Sequence, residues 1–114
     1  MSNTKISYLL HALMAAGLAC GAMAAQAAPD AAAAEAAIKD NKCSKCHSVD
    51  KDKTGPSYKK VAEKYKGKAD AEAKLVTHLT TGPKVKVDGE EENHVKTKGD
   101  DAAIKNLAQY ILSR

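Results

Sequence analysis

Cys43, Cys46 and His47 spell C-x-x-C-H inside the stretch KCSKCHSVDKDKTGP, residues 42–56. Two thiols and an imidazole this close together suit a short list of chemistries. A redox-active dithiol of the thioredoxin kind needs a βαβ setting, and no strand is predicted around it. A structural zinc site needs four ligands. Cys43, Cys46, His78 and His94 supply the types, but the two histidines stand much further apart than the roughly three to five residues of a zinc finger. A disulfide across two intervening residues would stabilise little. The remaining chemistry is covalent attachment of a c-type haem. Two sulfurs at this spacing reach the two vinyl-derived carbons of one porphyrin, and the adjacent His47 then falls under the iron.

That chemistry takes place after export, and the N-terminus reads as an export signal. Residues 1–5 carry one positive charge, residues 6–24 are almost wholly apolar or small, and Ala25-Gln26-Ala27 is an A-x-A cleavage pattern. The expected domains are a signal peptide over residues 1–27 and one domain over residues 28–114. Leu18 stands one place too close to Cys20 for a lipoprotein signal, and no membrane anchor is expected after cleavage. Cleavage removes Cys20 and leaves Cys43 and Cys46, both consumed by thioethers.

The elements that position the motif read as helices. Residues 30–41 are Ala-rich with Asp30 as N-cap. Residues 57–66 start at Ser57, carry Tyr58, Val61, Ala62 and Tyr65 at helical spacing, and stop at Gly67. Residues 70–81 are capped by Asp70, closed by Gly82-Pro83, and striped with Ala71, Leu75, Val76 and Leu79. Residues 83–99 show no clear period and read as a loop. Residues 100–113 put Ala103, Ile104, Leu107, Tyr110 and Ile111 on one face. The chain has no Trp and no Phe, so a flat apolar cofactor would supply the missing centre of so small a core. The formal net charge is +4; it is lower once Lys5 is cleaved and two propionates are added. With no Arg cluster, nucleic acid is excluded as a partner.

From about Ala32 to Arg114 the chain resembles the small monohaem class I cytochromes c of bacteria, the cytochrome c-551/c-552 type. CSKCHSVDKDKTGPSYKKVAEKYKGK is similar to that family's haem turn, Gly-Pro loop and next helix. AEAKLVTHLTTG resembles its third helix and AIKNLAQYILS its last. The resemblance implies an all-α fold, about four helices round one covalent haem c, with the N- and C-terminal helices crossing. It implies that Pro56 offers its carbonyl to His47, fixing the proximal ring. It also implies a one-electron carrier rather than an enzyme, with one haem edge exposed.

Such cytochromes usually present a Met to the iron's distal side, from a loop before the last helix. The methionines here are Met1, Met14 and Met23, all in the leader. The corresponding loop, KVKVDGEEENHVKTKGDD, offers His94, and His47/His94 ligation is the expectation. Asn93, or an open site, would instead give a ligand-binding or peroxidatic high-spin protein. His78 is a further rival, about a quarter turn off its helix's apolar stripe and otherwise a helix-surface residue. Imidazole in place of thioether lowers the expected potential, and Glu90, Glu91 and Glu92 push the same way. Lys42, Lys45, Lys51 and Lys53, with Lys84 and Lys86, form an expected positive rim for redox partners with an acidic docking surface, membrane or multihaem cytochromes among them. A periplasmic monomer is expected.

Overall fold

The computed structural model describes residues 28–114; the expected leader and cleavage site, and the three methionines, lie outside them. The order is α1 (Ala31–Asp40), a 3-10 turn (Cys43–Lys45), α2 (Tyr58–Tyr65), α3 (Ala71–Thr81), β1 (Lys84–Val87), β2 (Glu90–Asn93) and α4 (Asp101–Leu112).

Three of the four helices begin where a short polar side chain takes up a free backbone donor. Asp30 accepts from the Ala33 N–H at 3.0 Å, Ser57 from Lys60 at 3.2 Å and Asp100 from Ala103 at 2.8 Å. Asp70 differs from expectation. It makes no capping bond; its carboxylate is drawn instead to the Lys74 ammonium at 2.9 Å, one turn along α3. The terminating glycines behave as read: Gly67 and Gly82 have φ of +75° and +58°, a region open to glycine at no steric cost.

The core consists of Ala34, Tyr58, Leu75, Leu79, Ile104, Leu107, Ala108, Tyr110 and Ile111. Five of these lie on α4, which packs against α1, α2 and α3 in turn. Ala34 and Ala108 are both wholly inaccessible, so small side chains let α1 and α4 approach closely. Two hydrogen bonds fasten the same pair at one end: the Asp30 N–H donates to Asn106 Oδ1 at 2.8 Å, and Asn106 Nδ2 donates to the Asp30 carbonyl at 2.9 Å. At the other end of α1, Asn41 Nδ2 donates to the Lys98 carbonyl at 3.2 Å and Asn41 Oδ1 accepts from the Lys98 N–H at 2.8 Å. First and last helices therefore meet as expected, with the long loop pinned between them.

That loop is not structureless. Residues 84–93 form an antiparallel hairpin with Lys84 opposite Asn93, Val85 opposite Glu92, Lys86 opposite Glu91 and Val87 opposite Glu90. Its two-residue turn is Asp88-Gly89, both at positive φ (51° and 88°), the Asp-Gly signature of a tight hairpin. β2 is exposed along its whole length, so it carries none of the apolar alternation by which a strand is read. No helix among the described residues is long and apolar enough to cross a membrane.

Candidate haem-ligating site

The proximal half is built by a short, densely bonded segment. Lys42 takes a left-handed conformation (φ 55°) that turns the chain out of α1. The Cys43 carbonyl then accepts from the N–H groups of Cys46 at 3.1 Å and His47 at 2.9 Å. Gly55 N–H returns to the Cys46 carbonyl at 2.7 Å, and Tyr58 N–H to that of Ser48 at 2.9 Å. Asp52 accepts from the Ser57 N–H at 2.8 Å and pairs with Lys60 at 2.8 Å. The Lys60 bond, then the Ser57 bond, hold its carboxyl below the usual range.

His47 is fixed on three sides. Its Nδ1 lies 2.7 Å from the Pro56 carbonyl, the partner expected of Pro56. A carbonyl can only accept, so Nδ1 carries the proton and Nε2 keeps its lone pair. A Cβ at Gly55 would overlap the His47 ring, so glycine is what lets the backbone press against it. Tyr58 stacks on the remaining face, centroids 5.8 Å apart and planes 23° from parallel. Cys43 is half-buried and Cys46 exposed. Burial pushes the Cys43 thiol up, its own backbone hydrogen bond opposes this, and Cys46 adds to the rise. A raised thiol is the opposite of an activated redox dithiol.

The distal half comes from the end of the hairpin. The His94 N–H donates to the Pro83 carbonyl at 2.8 Å, and Thr97 N–H to that of Leu79 at 2.8 Å. A Cβ at Gly82 would stand 2.5 Å from the His94 carbonyl oxygen. These contacts bring the half-buried His94 ring to 6.0 Å from the His47 ring, planes 44° apart. His94 Nδ1 lies 2.8 Å from the Val95 carbonyl, so here too Nδ1 carries the proton and Nε2 is free to bind. Two imidazoles on opposite sides of one metal, each nitrogen about 2 Å away, have centroids about 6 Å apart. The described residues thus fit an iron between His47 and His94.

The rivals fare differently. Asn93 is exposed at the end of β2, opposite Lys84. His78 is not the surface residue expected. It is half-buried, its ring edge-on to His94 with centroids 4.6 Å apart and planes 63° from parallel. Burial depresses its pKa first, followed by His94, Lys64 and His47. Tyr58 was legible only as core. In the fold it also covers the proximal ring, and its buried hydroxyl finds no partner among the described residues. Burial, then Cys43 and Tyr110, push that hydroxyl far up.

A cavity of about 780 Å³ opens beside His47, walled by Ile38, Tyr58 and Tyr110, with Lys42, Lys45 and Lys53 at its margin. The distal part of the expected lysine rim is weaker. Lys84 lies 3.8 Å from Glu91 and Lys86 sits opposite Glu91 in the hairpin, so that ribbon answers its own positive charges.

Comparison with known proteins places the chain in a family. The family model described as cytochrome c matches residues 31–114. Cytochrome c-551 of Pseudomonas aeruginosa is 37% identical over 109 residues, covering 94% of this chain and 96% of the relative. The crystal structure of the class 1 cytochrome MtoD from Sideroxydans lithotrophicus ES-1 superposes with a TM-score of 0.71 at 56% identity, over 75% of this chain and 97% of that one. Cytochrome c552 of Nitrosomonas europaea gives a TM-score of 0.59 at 30% identity, over 69% of this chain and 96% of its own. The chain belongs to the cytochrome c family, as a small monohaem class I member carrying one covalently attached haem c.

Proposed function

We propose that this protein is a periplasmic one-electron carrier whose haem iron is held by His47 and His94, on thioethers from Cys43 and Cys46. The observation that carries the reading is the pair of facing imidazoles, 6.0 Å apart, each with Nδ1 committed to a backbone carbonyl. The haem supplies an Fe(III)/Fe(II) couple. The Pro56 carbonyl orients the His47 ring, and the Pro56 and Val95 carbonyls each raise the donor strength of their histidine by accepting a hydrogen bond from its Nδ1–H. Two strong ligands close the coordination sphere, which suits electron transfer and leaves no position for a substrate. Imidazole in place of a thioether lowers the potential, and residues 28–114 contain no methionine. Glu90, Glu91 and Glu92 favour the ferric state only weakly, because all three are exposed and screened.

The leader over residues 1–27 directs export and is then removed, leaving a monomer free to shuttle. Exposed Lys42, Lys45, Lys51 and Lys53 round the proximal turn steer redox proteins with an acidic docking surface. Absorption and electron paramagnetic resonance spectra of the ferric holoprotein test the ligation. Wild type is expected low-spin, His94→Ala high-spin and open to carbon monoxide when reduced, and His78→Ala still low-spin. A high-spin wild type would move the function to ligand binding or peroxidation at Asn93 or an open iron. Loss of the low-spin form in His78→Ala but not in His94→Ala would transfer the ligand role to α3.

A further inference from the structure

The two rings proposed to face the iron are not restrained alike. His47 is gripped by groups from outside its own turn: the Pro56 carbonyl nine residues away, the bare backbone of Gly55 and the stacked Tyr58 ring. The only hydrogen bond of the His94 ring among the described residues goes to the carbonyl of its neighbour, Val95. That bond travels with the loop and cannot fix the ring against the scaffold. Something else must set its plane.

The last turn of α3 is placed to do so. Leu79 holds the Thr97 N–H, Pro83 holds the His94 N–H, and Gly82 lies against the His94 carbonyl. These are backbone contacts and locate the chain. His78, on the same turn, is the side chain that meets the ring itself, edge-on with centroids 4.6 Å apart. Its backbone is anchored, because its carbonyl accepts the Gly82 N–H at 3.3 Å. Neither of its ring nitrogens makes a hydrogen bond among the described residues, so its contribution is the ring contact. Edge-to-face contact between aromatic rings is directional, which a methyl or isobutyl group cannot reproduce.

We propose that His78 is a positioning residue that sets the plane of the His94 imidazole and slows its release. The proposal rests on the His47/His94 reading. The two ring planes differ by 44°, and the relative angle of two axial imidazoles is read directly in the g values of a ferric low-spin haem. Release of the distal ligand is read in the rate at which carbon monoxide binds the ferrous protein.

The test compares wild type, His78→Ala and His78→Phe as holoproteins. His78→Ala is expected to stay low-spin, to shift its g values, and to bind carbon monoxide about fivefold faster, the size expected of one lost aromatic edge contact. His78→Phe keeps a ring edge without nitrogen and is expected to return both readouts toward wild type. A purely structural role would lower the melting temperature and leave both unmoved. Unchanged g values and an unchanged rate in His78→Ala would overturn the role of His78 while leaving bis-histidine ligation standing, as would a His78→Phe variant that behaves like His78→Ala. A high-spin wild type would overturn both readings together.

Discussion

The proximal and distal halves of the site solve one problem by opposite means. In the proposed bis-histidine site each presents an Nε2 lone pair to the same point. The proximal half does so within a segment from Lys42 to Tyr58, whose backbone bonds close on themselves and whose ring is gripped by a glycine, a proline carbonyl and a tyrosine. The distal half hangs its ligand from an exposed hairpin and relies on the end of α3 to locate it. The proximal side is over-determined, so no single contact decides its geometry. The distal side has few restraints, so each is felt at the metal. The proximal turn is also where the thiols bind covalently, which makes the distal side the one that sets ligand identity and exchange.

The largest effect is expected from cutting the covalent link. Cys43→Ser or Cys46→Ser should abolish or sharply reduce mature holoprotein, because the described core is small and the haem completes it. Mass spectrometry of the purified protein checks this by the loss of one haem's mass. Well-folded, haem-free protein from wild type would contradict the whole account.

Next comes the floor on which both halves rest. Leu107 is 1% exposed at the centre of α4, and Leu107→Ala should cost about 2–5 kcal/mol in chemical denaturation. The spectrum of the folded holoprotein should not change, since the hydrogen bonds and ring contacts that hold both histidines come from residues outside α4. A cost below about 0.5 kcal/mol, the range of ordinary surface substitutions, would mean that its packing is misplaced.

Two glycines then sharpen the comparison, because the same insult is applied to each half. Gly55→Ala forces a methyl into the His47 ring, and Gly82→Ala forces one against the His94 carbonyl at φ +58°. Each should cost about 1–3 kcal/mol through overpacking. Only Gly82→Ala should produce a high-spin fraction in the ferric spectrum, because the His94 ring has fewer restraints from outside its own loop than the His47 ring. Equal spectral disturbance in both would erase the asymmetry.

The smallest effect is expected at Tyr58. Its hydroxyl is buried and unpartnered, a condition that costs about 1–3 kcal/mol in general. Tyr58→Phe keeps the ring stacked on His47 and removes that cost. Stability should therefore be unchanged or slightly higher, with the low-spin spectrum intact. A clear loss of stability would show that the hydroxyl has a partner in the holoprotein.

The proximal half was legible in the sequence because its information is local. C-x-x-C-H, Gly55-Pro56 and the Ser57 cap lie within a few residues of the atoms they position. The capping of α1, α2 and α4 was legible for the same reason. Asp70 was misread because a cap and an i,i+4 ion pair compete for one carboxylate, and Lys74 wins. The hairpin was missed although Asp88-Gly89 announces its turn, since Glu90, Glu91, Glu92 and Asn93 bury nothing. His78 was misread for a deeper reason. Which face of α3 meets the distal loop depends on how that helix packs against α4, and no periodicity within residues 70–81 encodes a neighbour from residue 94.

The hydrogen bond between His94 and Pro83, one step beyond the Lys84–Asn93 pair, closes the hairpin at its base. Everything from Lys84 to Asn93 is thereby a detachable appendage whose length is uncoupled from the spacing of the two histidines. Residues added at the Asp88-Gly89 tip would project into solvent, where a Cβ on Gly89 meets nothing within 4 Å. The tip is therefore a natural splice point. A peptide tag, a second domain or a surface-anchoring sequence inserted there would be carried at the rim of the redox centre without redrawing it.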